Sequence, residues 1–172
     1  MRAAAPSAFL RSVGGRLPRG HVLDVACGAG RNSLYFLQRG DRVLGIDASY
    51  ERLTEARAAA GRGSPFDLLQ ADLERFPLPA ERFDVVLNCR YLQRSLAPAL
   101  SRALRPGGML VFETFLREQL ELGHPRNPDF VLEHDELLRL FSDLRVLHYE
   151  EGLFDEDGRA AHLARLLAQK SL

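Results

Sequence analysis

Residues 22–30, VLDVACGAG, constrain this chain more than any other stretch, because a run of branched apolar residues passes directly into a turn built around two glycines. Val22, Leu23 and Val25 favour a strand buried on both faces, while Gly28 and Gly30 permit a sharp reversal that brings backbone close to a ligand. Helical spacing resumes over residues 31–38. A strand, a glycine turn and a helix make half of a βαβ unit, so the expected fold class is α/β: a doubly wound, mostly parallel seven-stranded sheet with helices on both faces.

The glycine pattern also discriminates between ligands. A dinucleotide fold uses GxGxxG, whose third glycine lets the helix pack closely over a pyrophosphate, whereas this chain has Ser33 at that position. Asp24, at the end of the strand, would repel phosphates but suits a cation or the amides of the loop. A cofactor with a positive amino-acid portion fits better than one with two phosphates. The string LDVACGAGRNSLYFLQRG resembles motif I of the class I S-adenosylmethionine (AdoMet) dependent methyltransferases, in particular the small-molecule branch related to the tellurite-resistance methyltransferase. The resemblance implies AdoMet as cofactor, with Asp24, Ala26, Gly28, Gly30, Arg31 and Asn32 around its amino-acid end.

Two further acids follow strands. RVLGID ends in Asp47, 23 positions after Asp24, close to the distance of about 20 residues at which an acid meets a nucleoside ribose in a doubly wound sheet. A carboxylate there can accept one hydrogen bond from each ribose hydroxyl, or it can cap the helix that starts near Tyr50. The resemblance assigns Asp47 to the ribose, with Ala48 in the same turn. Asp72 and Leu73, in ADLERFPLP, read on their own as a solvent-facing strand exit; the resemblance makes them the adenine contacts, one polar and one apolar. FDVVLN at 83–88 is the next buried strand, set off by Pro77 and Pro79, and delivers Asn88 beside the cofactor. Cys89 reads as a packed, reduced thiol.

With 172 residues and 46% hydrophobic content, a single AdoMet-binding domain over 1–172 is expected, with 1–19 a short helical or partly ordered extension. Within it, Phe9, Leu10, Val13 and Leu17 are spaced to cover the sheet; a transit segment is the competing reading of these arginine-rich residues. The family this chain resembles usually carries a longer amphipathic segment here that closes over the cofactor, so the resemblance implies a substrate lid that is incomplete or supplied by another subunit. Basic and acidic residues both number 23, so no positive field gathers nucleic acid or an anionic membrane. Two cysteines make no disulfide framework, and no CxxC or histidine cluster suggests a metal. No apolar run reaches the roughly 18 residues of a membrane span. A cytoplasmic monomer or homodimer acting on a small molecule, without nucleic acid or membrane, is the expectation.

In the second half, Leu92, Leu96, Leu100 and Leu104 predict one helix face ending at Pro106-Gly107-Gly108, followed by a strand at 109–113. LRPGGMLVFE also resembles the corresponding segment of class I methyltransferases. A helix is expected over 133–141, a strand over 144–149, and, after the DEDG turn, a final antiparallel strand over 161–168, although AHLARLLAQK favours a helix on propensity alone.

Methyl transfer needs an acceptor held in line with the methyl group rather than a protein nucleophile. Candidate acceptor-facing residues are those on loops after strand ends: Arg90, Tyr91 and Arg94, then Glu113, Thr114 and Phe115, then the polar loop at 123–130 containing HPRNP. Tyr91, His124 and Arg94 are the candidate catalytic residues, the first two to orient or deprotonate an acceptor and the arginine to hold an acidic substituent. Two alternatives stand beside the enzyme: a non-catalytic AdoMet-binding scaffold, and a nicotinamide-dependent oxidoreductase, which would want a third glycine and a tyrosine-lysine pair, although the sole lysine is Lys170.

Overall fold

A computed structural model describes residues 5–172; the first four residues of the 1–19 extension lie outside it. The order of elements is α1 (Ala8–Val13), β1 (His21–Val25), α2 (Arg31–Gln38), β2 (Arg42–Asp47), α3 (Tyr50–Ala60), β3 (Phe66–Gln70), β4 (Phe83–Cys89), α4 (Ala97–Ala103), β5 (Leu104–Phe115), α5 (Glu136–Leu140), β6 (Arg145–Asp155) and β7 (Ala160–Gln169). The seven strands form one sheet in the order β3-β2-β1-β4-β5-β7-β6. The first five in that row are parallel, and β7 runs antiparallel to both β5 and β6. Strand order reverses between β1 and β4, and in open α/β sheets ligands bind in the crevice outside the carboxyl ends at such a point.

Helices cover both faces. On one, Phe9 and Leu10 of α1 and Phe36 of α2 pack on Val22, Val43 and Val85. On the other, Leu100, Ala103 and Phe141 pack on Leu23, Val86 and Leu110. The amino-terminal segment thus forms the expected partial helix over the sheet. It starts where the Ser7 side chain accepts from the Leu10 amide, and it is tied to α2 where the Ser7 amide donates to Asn32 Oδ1 at 2.9 Å.

Three expectations change in the second half. Leu92, Leu96, Leu100 and Leu104 are all buried, yet only Ala97–Ala103 is α-helical. Pro98 in the first turn marks the helix start, and Leu104 already has extended backbone and pairs with Phe83 of β4. Pro106-Gly107-Gly108 is therefore no turn between helix and strand. It bulges inside β5, where the register jumps from Phe83↔Leu104 to Val85↔Met109. The helix expected over 133–141 shrinks to α5, because Asp135 adopts a left-handed φ of 58° immediately before it. Finally, β6 runs to Asp155, longer than expected, and makes a long hairpin with β7. The sequence AHLARLLAQK is a strand because neighbours on both sides satisfy its backbone and bury its side chains, which overrides helix propensity.

Candidate active site

The loop after β1 is held from three sides. Ala26 and Gly28 both take left-handed conformations, φ 52° and 54°, so the backbone folds back beneath the sheet edge, a geometry only glycine adopts without strain. The Cys27 amide donates to the Ile46 carbonyl at 3.0 Å, and the Gly30 amide to the Cys27 carbonyl at 2.9 Å. Asp47 fixes the floor: one carboxylate oxygen accepts the Gly28 amide at 2.8 Å and the other the Ser49 amide at 2.9 Å. The Cys27 loop can lie against β2 because Gly45 has no side chain; a Cβ there would stand 2.8 Å from Cys27 Sγ and 2.9 Å from the Phe66 ring.

Ser33 is a functional partner of Asp24. Its hydroxyl donates to Asp24 Oδ2 at 2.5 Å, and Asp24 is only 2% exposed. Burial pushes the Asp24 carboxyl up to about 7, with the Ser33 hydrogen bond opposing it. A glycine at position 33, as in a dinucleotide loop, would leave this acid without that donor.

Around this loop lies a cavity of about 490 Å³, within the roughly 300–1,000 Å³ of small-molecule sites. Of the candidate cofactor residues, Asp24, Ala26, Gly28, Arg31, Asn32 and Asp47 line it. Cys27, Cys89 and Arg90 line it too, together with Ala29 and Arg52, for which the sequence carried no signal. Burial pushes the Cys89 thiol up to about 11. The remaining candidates stand outside the cavity wall. Gly30 caps α2 against Ala56 and Phe66, and Ala48 is exposed at the following turn. Asp72 is half exposed and accepts the Glu74 amide at 3.0 Å, while Leu73 is buried in the core. Asn88 is buried, and its side chain donates to the Tyr91 carbonyl at 2.7 Å, fixing the loop after β4. The site is therefore walled around the glycine loop and open beyond Asp47. These residues fit a cationic amino-acid portion near Asp24 and a polyol near Asp47, each carboxylate oxygen having a second lone pair to offer.

Beyond Arg90 the carboxyl edge continues into two more cavities. One, of about 290 Å³, is lined by Tyr91, Leu92, Phe115, His124, Pro125 and Phe130. It brings together two of the three candidate catalytic residues: the Tyr91 hydroxyl donates to Gln93 at 2.6 Å, and His124 packs edge-on to Phe115. Burial holds the Tyr91 phenol above its ordinary value. The other, of about 520 Å³, lies between Arg31, Arg90 and Gln119 and the tip of the β6–β7 hairpin. Arg94 joins neither. It is committed to a clamp, pairing with Glu136 at 2.5 Å and donating to the Asp129 and Val131 carbonyls at 2.9 Å. In the 123–130 loop, Asn127 caps a 3₁₀ turn and Arg126 is exposed.

Glu113 and Thr114, expected to face an acceptor, are each 1% exposed. The cause is a buried charge network: Arg165 donates to Glu113 at 2.7 Å and to Glu150 at 3.3 Å, and also reaches Glu156. Arg90 pairs with Glu156 at 3.0 Å and stacks over Phe115. Arg11 of α1 meets Asp157 at the hairpin tip at 3.0 Å. A further cavity of about 320 Å³ opens at the amino ends of the strands around His21 and Arg42, the edge at which doubly wound sheets do not bind ligands. Among the described residues, no group of three His, Cys, Asp or Glu side chains could hold a metal ion, and no helix is long and apolar enough to cross a membrane.

Residues 22–108 match the family model described as a methyltransferase domain. A malonyl-[acyl-carrier protein] O-methyltransferase of Salmonella typhimurium is 36% identical over 104 residues, 58% of this chain. The chain spans 40% of that protein's length. Among solved structures, TehB of Haemophilus influenzae superposes with a TM-score of 0.81 at 20% identity, covering 94% of this chain and 61% of TehB. An S-adenosylmethionine dependent methyltransferase of Mesorhizobium loti gives 0.76 at 23% identity, covering 93% and 96%. Strand order, glycine loop and family match agree: the chain has the class I, Rossmann-like fold and belongs to the methyltransferase-domain family.

Proposed function

We propose that this protein transfers a methyl group from AdoMet to a small-molecule acceptor. The observation that carries the reading is the cavity walled by the glycine loop, buried Asp24 and Asp47 at the reversal of strand order. AdoMet supplies an electrophilic methyl group on a positively charged sulfur. Asp24, with Ala26, Gly28, Arg31 and Asn32, holds its amino-acid end, and Asp47, beside Ala48, takes the ribose hydroxyls. Asp72, on the open side, would meet the adenine, with Leu73 backing it from the core, while Gly30 and Asn88 shape the wall from behind. Tyr91 and His124 orient the acceptor, and Arg94 positions the loop that carries His124. Transfer then depends on alignment and on exclusion of water rather than on a protein nucleophile.

The balanced charge supports a small acceptor without nucleic acid, and two free cysteines support a reducing, cytoplasmic setting for a monomer or homodimer. A nicotinamide oxidoreductase is disfavoured because Lys170 is occupied at the opposite edge, donating to the Leu104 carbonyl at 2.8 Å. Titration calorimetry tests the ligand: AdoMet and S-adenosylhomocysteine should bind near one equivalent while NADH does not compete. Silence with both sulfur nucleosides, or tight binding of NADH, overturns the reading. A screen of thiols, amines and oxyanions with labelled AdoMet separates the enzyme from a non-catalytic AdoMet-binding scaffold, which would bind without turnover.

A further inference from the structure

Charge at the hairpin tip is unevenly matched. The 520 Å³ cavity next to the cofactor cavity contains two acids, Glu156 and Asp157, and both are already paired. Glu156 is held by Arg90 and Arg165, and Asp157 by Arg11. Two arginines in the same wall are not. Among the described residues, neither Arg31 nor Arg159 has a carboxylate within 4.0 Å, and Arg31 makes only a long contact of 3.9 Å to Cys89 Sγ. Guanidinium groups lining a concave wall without a direct ion pair draw anions, and their planar fork matches a carboxylate; Arg159 is the freer of the two, since Arg31 also feels Asp24 across the glycine loop.

The neighbouring wall has the opposite character. The 290 Å³ cavity shares Arg90, Phe115 and His124 with the charged one and continues along Leu92, Pro125 and Phe130. Phe130 is 54% exposed, a large aromatic left facing solvent at the rim. One molecule spanning both cavities would therefore place an anion at the arginines and an apolar body along Phe115. Resting on the methyltransferase reading, the geometry points to an acceptor class: a small organic acid with an apolar or aryl body, anchored through its anionic group by Arg159 and Arg31.

Arg159 makes the site separable from the cofactor site, because it lines the charged cavity and not the one around the glycine loop, whereas Arg31 lines both. Phenylacetate and its neutral isostere phenylacetamide are the probes, titrated at constant ionic strength with and without S-adenosylhomocysteine and followed by saturation-transfer NMR. The acid should bind about tenfold or more tighter than the amide, the scale of one charge-assisted pair. Arg159→Ala should weaken the acid by about tenfold and leave the amide and S-adenosylhomocysteine within about twofold, and Arg159→Lys should restore part of the loss. Arg31→Ala should weaken both the acid and the nucleoside. Equal binding of acid and amide, no binding of either, or an Arg159→Ala variant that binds the acid normally overturns the inference. Acid binding without S-adenosylhomocysteine binding would leave this site standing while the methyltransferase reading falls.

Discussion

The two halves of the carboxyl edge are built by different means. Around the glycine loop, the fixing contacts are close in sequence: Ser33 to Asp24 spans 9 residues and Gly28 to Asp47 spans 19. Around the acceptor side they are distant, with Arg94 to Glu136 at 42, Arg165 to Glu113 at 52 and Arg11 to Asp157 at 146. The first half is shaped by backbone amides and small residues, the second by ion pairs that run from the buried Arg165–Glu113 to the exposed Arg11–Asp157. A site of the first kind keeps its form wherever strand, turn and helix recur, while one of the second kind can be re-addressed by changing a few ion pairs. That division of labour suits a fold in which the donor is constant and the acceptor varies.

Removing the centre of the charged half should have the largest effect. Arg165→Ala removes the nearer of the two arginines on buried Glu113, leaving Arg90 at 3.5 Å, and should destabilise by about 3 kcal/mol, the lower end of the cost of breaking a buried pair. Denaturant unfolding reads that loss, and S-adenosylhomocysteine affinity of the folded variant should stay within about twofold, since Arg165 does not line the cavity around the glycine loop and Arg90, which does, keeps both Glu113 and Glu156. A collapse of nucleoside affinity in a folded Arg165→Ala protein would erase the distinction between the halves.

Asp24 probes the other half through pH. Its carboxyl is raised from 3.8 to about 7, so the folded chain keeps a proton that the unfolded chain has lost. The stabilisation is complete below about pH 4 and disappears as pH rises through about 7, a swing of a few kcal/mol. The difference in unfolding free energy between the wild type and Asp24→Asn, measured from pH 4 to 8, should slope in that direction; a flat difference means Asp24 ionises normally. A cationic ligand favours the ionised acid, so AdoMet affinity should rise with pH through 7 in the wild type and not in Asp24→Asn.

Smaller effects follow. Asp47→Ala removes a charged acceptor and should weaken AdoMet by about 1.5–3 kcal/mol in calorimetry while circular dichroism is unchanged. Normal binding would reduce Asp47 to a loop support for Gly28 and Ser49. Arg94→Ala should cost about 1 kcal/mol or less, because the arginine is 41% exposed. Its signature is faster hydrogen exchange across 128–136 with nucleoside affinity preserved; unchanged exchange would mean that the clamp holds nothing.

The same contrast explains what could be read from residues alone. The β1 loop, Asp24, Asp47 and their order along the chain follow from local spacing, as does the burial of the leucines at 92–104, whereas the final strand is signalled locally only by the DEDG turn before it. The bulge at Pro106-Gly107-Gly108 was hidden, because it exists only in the register against β4. The withdrawal of Glu113 into the fold was hidden for a similar reason: nothing near residue 113 announces an arginine at 165. Arg52, on α3, reaches the cavity only because α3 packs beside the loop, and its sequence neighbours read as an ordinary solvated helix.

Gly45 sits in the middle of β2 and touches no proposed ligand, yet the position of Cys27 depends on the space where its side chain would be. The strand next to the loop therefore acts as a gauge of how deep the nucleoside can settle. A single methyl group at residue 45 would act as a shim behind the loop, pressing on the Cys27 sulfur, the Phe66 ring and Leu68 while leaving every proposed contact residue chemically intact.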